Sequence, residues 1–216
     1  LWLLDLAIAA GAGKRRLTTL DAAFDRPVLV GDAAESEADP AHGEAAVSNG
    51  GEDAMRVRYA FTEDSWPAHR QSWDGMARDD MILSCCDLAS DDIADRTGSL
   101  TLHLVPASLE AMFPRLAAHL CPTQTAILLA VSRLVGMECP GRRSILKSIR
   151  LRFADTGSSG AEGMRLHYRV ARFARMVGLI DLEVRGPNVE GTVQAFLRPP
   201  PVEQAPFAQL ARLVDG

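Results

Sequence analysis

Residues 132–153 read SRLVGMECPGRRSILKSIRLRF: the end of an apolar helix, a break, a basic pair and an amphipathic strand. Pro122 opens the helix, where its missing N–H costs nothing. Ile127, Leu128, Val131, Leu134 and Val135 then follow the i, i+1, i+4, i+7, i+8 spacing of a buried stripe. Cys139-Pro140-Gly141 stops it, and Arg142-Arg143 follows. In the strand beyond, Ile149, Leu151 and Phe153 face one way and Arg150 and Arg152 the other.

The same order occurs at the start of the chain. LWLLDLAIAA, residues 1–10, predicts a helix that is apolar nearly all round and therefore buried. Gly11-Ala12-Gly13 breaks it, Arg15-Arg16 follows, and a strand ends at Phe24. Leu20, Ala22 and Phe24 match Ile149, Leu151 and Phe153 at a constant offset. Duplication of this kind outweighs any single motif. A helix apolar on most faces needs a curved sheet to keep water from it. The expected class is α+β: two repeats, each a central helix wrapped by an antiparallel sheet.

Outward from these anchors, strands are expected near 33–38 and 54–61, with Asp39-Pro40-Ala41-His42 as a hairpin turn after the first. Residues 62–98 are acidic and irregular, a connector that Trp66 and Trp73 pin to the body. A strand through Leu100, Leu102 and Leu104 precedes a helix over 108–119, with Ser108 as N-cap and a kink or restart at Pro114. After a Gly/Ser loop at 156–163, a long strand spans 164–184, broken near Gly178, and another spans 191–197. The tail is extended and ends in a short helix near 207–214. The organisation is therefore a first repeat at 1–61, incomplete at its N-terminus, a connector at 62–98, a second repeat at 99–200 and a tail at 201–216.

The 216 residues are 47% hydrophobic and 24% charged, enough to bury a core without staples. A net charge of −5 argues against nucleic acid as the main partner. Residues 1–10 are too short to span a bilayer and lack the basic flank of a signal peptide. The run opens mid-helix without an initiator Met, so residues are expected ahead of Leu1. Cys85, Cys86, Cys121 and Cys139 include no CxxC pair, so no metal site is expected, and reduced thiols in a cytoplasmic protein are the simplest reading.

The stretch at 132–153 resembles the central helix and following strand of MaoC-like (R)-specific enoyl-thioester hydratases and dehydratases. FDRPVLVGD, residues 24–32, is similar to the strand and turn that come next in that family. The resemblance implies a double hotdog fold, no cofactor, and acyl-CoA or acyl carrier protein thioesters as substrates. It also implies a catalytic Asp and His just before a central helix, in a run resembling Asp-x-Asn-Pro-x-His. The pair would move water and the Cα proton while helix N–H groups hold the thioester carbonyl. In the first repeat that motif would fall upstream of Leu1. In the second, the equivalent stretch is RLAAHLCPTQTAILLAV, which has no Asp and only His119. The second repeat is thus expected to be the degenerate half.

His119, Cys121 and Gln124 are the catalytic candidates if the second repeat works, against a plain capped helix end. Thr123, Ser132, Arg142 and Arg143 are the candidates for substrate binding, the arginines against CoA phosphates or an acidic carrier protein. Asp39 and His42 only superficially match the family motif, and His103 and His167 are read as strand-face residues. Three activities compete: a hydratase or dehydratase, an acyl-binding or assembly module without turnover, and a hotdog thioesterase. The last needs a carboxylate opposite the helix N-terminus, and none stands near Pro122. A homodimer stays open, since a double hotdog already contains one internal pair.

Overall fold

The computed structural model describes residues 1–7, 15–29, 31–65, 85–154 and 164–200. Strands with alternating apolar residues must cover one face to keep it dry, and here helices cover it. Helix α1 (Trp2–Ala7) is followed by β1 (Arg15–Phe24), β2 (Ala34–Asp39), β3 (Glu44–Asn49) and β4 (Glu52–Ser65). Then come β5 (Thr97–Thr101), α2 (Pro106–Met112), α3 (Pro114–His119) and α4 (Pro122–Arg133), which runs into a π turn at Leu134–Glu138. Strands β6 (Ser144–Phe153), β7 (Arg165–Ala174), β8 (Leu179–Gly186) and β9 (Val189–Leu197) complete a nine-stranded sheet in the order β2-β3-β4-β1-β6-β9-β8-β7-β5. Each recorded strand pair is antiparallel.

The duplication read from the sequence is visible in the pairing. Strands β1-β4-β3-β2 run outward from the middle of the sheet, and β6-β9-β8-β7 run outward from the same middle in the opposite direction. At the join, Asp21 pairs with Arg150, Leu20 with Leu151 and Ala22 with Ile149. A two-fold axis between Asp21 and Arg150 maps Leu20 onto Ile149 and Ala22 onto Leu151. That mapping is an offset of 129 (150 minus 21, and 149 minus 20), the offset of the matching apolar residues in the sequence.

Leu20, Ala22, Ile149 and Leu151 all lie buried beneath this join. Helix α4 packs on the same face, with Ile127, Leu128 and Val131 essentially inaccessible. Side chains of this size stabilise by roughly 1.5–3 kcal/mol each when fully buried. Gly141, at φ +89°, lets the chain turn from the π turn into β6; an added Cβ there would collide with the Cys86 carbonyl.

Several expectations need correction. The helix placed at 108–119 is two helices, broken at Pro114 as anticipated, and the first begins at Pro106 with Val105 as N-cap, not at Ser108. Proline's fixed φ suits the first helical position and draws the start forward. Strand β3 forms at Glu44–Asn49 although EAAVSN carries little β-forming signal. The strand placed at 164–184 is a hairpin, β7 and β8, turning at Gly178 with φ +66°. Strand β5 begins at Thr97, and Leu102 and Leu104 are buried beyond its end. Trp66 and Trp73, the loop at 156–163, residues 8–10 of the first helix and the tail at 201–216 lie outside the described residues.

Candidate functional site

At the N-terminus of α4 the two halves meet through a buried side chain. Gln124, at the helix's third position and 4% exposed, donates from Nε2 to the Leu17 carbonyl at 2.6 Å. Its Oε1 accepts from the Leu17 N–H at 3.0 Å. The amide thus mimics one more strand residue against β1. Buried polar groups must be matched in this way or cost about 1–3 kcal/mol each.

Cys121 is the N-cap residue, with Pro122 at the first helical position. Its backbone carbonyl accepts from the Thr125 N–H at 3.1 Å and the Thr125 hydroxyl at 3.2 Å. Burial pushes the Cys121 thiol up from its ordinary value, opposed by the N–H groups of Gln124 and Thr123 and by the Arg16 guanidinium. A thiol in that position is neutral at physiological pH and a poor nucleophile. The first-turn N–H groups of Thr123 and Gln124 carry the positive end of the helix dipole and face the Cys121 thiol. No acidic residue stands in that first turn.

His119 ends α3, three residues before Pro122, half-buried, with a buried Nδ1 that has no hydrogen-bond partner among the described residues. The chain therefore brings His119, Cys121, Thr123 and Gln124 to one end of α4. It does not bring Ser132, Arg142 and Arg143 there. Ser132 lies nine residues beyond Thr123, roughly 13 Å along the helix. Arg143 bonds Asp87 Oδ1 at 2.6 Å and the Leu88 carbonyl at 3.2 Å, while the Arg142 N–H donates to the Cys86 carbonyl at 2.8 Å. The basic pair thus pins residues 86–88 to the start of β6.

Asp39 and His42 bond each other at 2.7 Å in an exposed hairpin turn between β2 and β3. That contact lowers the Asp39 carboxyl and raises the His42 imidazole. His167 is exposed on β7.

Two groups escaped the sequence reading. Asp5 is 5% exposed in α1, and its Oδ1 accepts from the Leu116 N–H at 2.8 Å. Helix α3 begins after Phe113, which has no capping oxygen, so Asp5 caps it from a distance. Arg115 reciprocates, donating to the Leu6 carbonyl at 2.7 Å. An Asp inside an otherwise apolar helix was the available signal. Arg96 meets the Tyr168 hydroxyl near Cys139, whose thiol burial pushes to about 11. No sequence pattern marked that cluster.

Among the described residues no group of three His, Cys, Asp or Glu side chains could hold a metal ion, and no helix is long and apolar enough to cross a membrane. A groove of about 870 Å³ crosses the outer face of the sheet, from Arg58 over Arg150 and Arg152 to Arg185. It lies on the side of the sheet away from α4, so the α4 end is taken as the candidate site on chemical grounds.

No protein-family model matches the chain, and no curated protein does. Similar solved structures include a TesB protein of Mycobacterium avium subsp. paratuberculosis, at 8% identity and TM-score 0.44, covering 87% of this chain and 81% of that one. HtdX of Mycobacterium tuberculosis is similar at 17% identity and TM-score 0.41, covering 87% and 78%. A conserved protein of unknown function with a hot dog fold from Alicyclobacillus acidocaldarius is similar at 14% identity and TM-score 0.43, covering 92% and 85%.

Proposed function

We propose that this chain is a double hotdog protein of the MaoC-like kind, an (R)-specific enoyl-thioester hydratase or 3-hydroxyacyl-thioester dehydratase acting on acyl-CoA or acyl carrier protein substrates. The observation that supports the reading best is the pseudo-two-fold pairing of β1 with β6, which sets the N-terminus of a buried helix from one half against the first strand of the other. Helix N–H dipoles at such an end stabilise a thioester oxygen as negative charge builds on it during loss or return of the Cα proton. Proton transfer itself needs an acid–base pair. In this reading His119, at the end of α3, is the candidate base within the described residues. Cys121, held as a neutral thiol, serves as packing and not as an acyl acceptor.

The absence of an acidic residue from the first turn of α4 also supports a second reading, an acyl-binding or assembly module without turnover. The same feature ranks a thioesterase third. Incubation with a crotonyl thioester separates the three. Loss of enoyl absorbance without free thiol is expected of the hydratase. Release of free thiol identifies a thioesterase, and saturable binding with neither change identifies the binding module; either result ends the hydratase reading.

A further inference from the structure

We propose that the outer face of the sheet is the interface between two copies of this chain, held by opposite charge on its two halves. The pseudo-two-fold makes the inference possible because it says which residues occupy equivalent places. Following the registers outward from Asp21 and Arg150, Glu35 of β2 corresponds to Arg165 of β7, Glu37 to His167, and Asp39 to Arg169. One half thus carries acids at all three outward positions, where the other carries arginines at two and a histidine at the third. These side chains point away from the core, so folding does not require either sign.

Much of this charge is unbalanced within the chain. Glu35 and Glu37 make no ion pair among the described residues, and neither do Arg152 and Arg172; Arg185 makes none within bonding distance but helps Arg169 lower the Glu183 carboxyl. The groove on this face is lined by five arginines, at 58, 150, 152, 169 and 185, against Asp21, Glu183 and Glu190. A local basic surplus on a chain of net charge −5 selects an acidic surface, and the β2 side of a second copy is one. A two-fold dimer is self-complementary: each copy offers an acidic half and receives one. An edge strand bearing Glu35, Glu37 and Asp39 also resists pairing directly with its own twin, which steers association to the face.

Exposed ion pairs are weak and screened by salt, so the dimer should be salt-sensitive. Sedimentation of the chain without any acyl ligand tests this independently of the enzymatic reading. At about 50 mM salt a dimer is expected, with its dissociation constant rising at least about tenfold by about 500 mM. Two double variants carry the decisive arm. Glu35→Lys with Glu37→Lys makes both halves basic, and Arg172→Glu with Arg185→Glu makes both acidic; among the described residues none of the four has an ion pair within bonding distance to lose, and Arg185 is the secondary influence on Glu183 after Arg169. Each variant alone should be monomeric with unchanged circular dichroism, and a 1:1 mixture should restore the dimer. A wild-type monomer at low salt, a dimer indifferent to both reversals, or a mixture no more associated than its components overturns the proposal. So does a monomer whose groove takes up inorganic phosphate instead.

Discussion

The two halves of the sheet, β1–β4 and β6–β9, share a strand order and a register but not a surface. Their inward residues are interchangeable in kind: Leu20 and Ala22 against Ile149 and Leu151. Outward, Glu35 and Asp39 of β2 stand where β7 has Arg165 and Arg169. Alternation is enforced by the core, because a one-residue slip would turn every apolar side chain to water. No such constraint acts on the outer face. What the halves share is therefore what folding demands, and what separates them is available to function.

The comparison can be broken most forcefully in the core. Ile127→Ala in α4 should cost about 2–5 kcal/mol, read by denaturant unfolding, because the residue is wholly buried. If the halves form one cooperative unit, the loss should appear as a single shifted transition. Two transitions would mean that they are independent. Gln124→Leu sharpens the point at the join. It leaves the Leu17 N–H and carbonyl without their partner and should cost roughly 1–3 kcal/mol. Asp5→Ala removes the distant cap of α3 and should cost about 0.5–2 kcal/mol by the same assay.

The smallest effect concerns pH. Asp25, at the end of β1, bonds Lys147 of β6 and Arg56 of β4, Lys147 being the stronger influence, and its carboxyl is held below the ordinary value. Its contribution is fully present above the unfolded carboxylate value near about 4 and is lost as pH falls through the lower folded value. For a partly exposed pair that is no more than about 1 kcal/mol. Wild type and Asp25→Asn should therefore differ at neutral pH and converge in acid.

Periodicity made the central helix and the strands at its exit legible, because Leu20, Ala22, Ile149 and Leu151 obey a local rule that the buried face imposes. Strand β3 was illegible for the opposite reason. Its Ala45 and Ala46 have little strand preference, and it is held by its neighbours β2 and β4. At the candidate site, the clustering of His119, Cys121, Thr123 and Gln124 followed from their adjacency in sequence. The partner of Gln124 did not, since Leu17 lies 107 residues away. Ser132 and the Arg142-Arg143 pair were grouped with the site by chemistry alone, and the length of α4 keeps them at its other end.

The most direct test of the acyl-thioester account is to follow backbone amide signals by NMR as a non-hydrolysable acyl-CoA thioether is added. The account predicts saturable shifts concentrated at the Thr123, Gln124 and Thr125 amides, with Ser132 little affected. Shifts confined to other parts of the molecule, or none at saturating ligand, would contradict it.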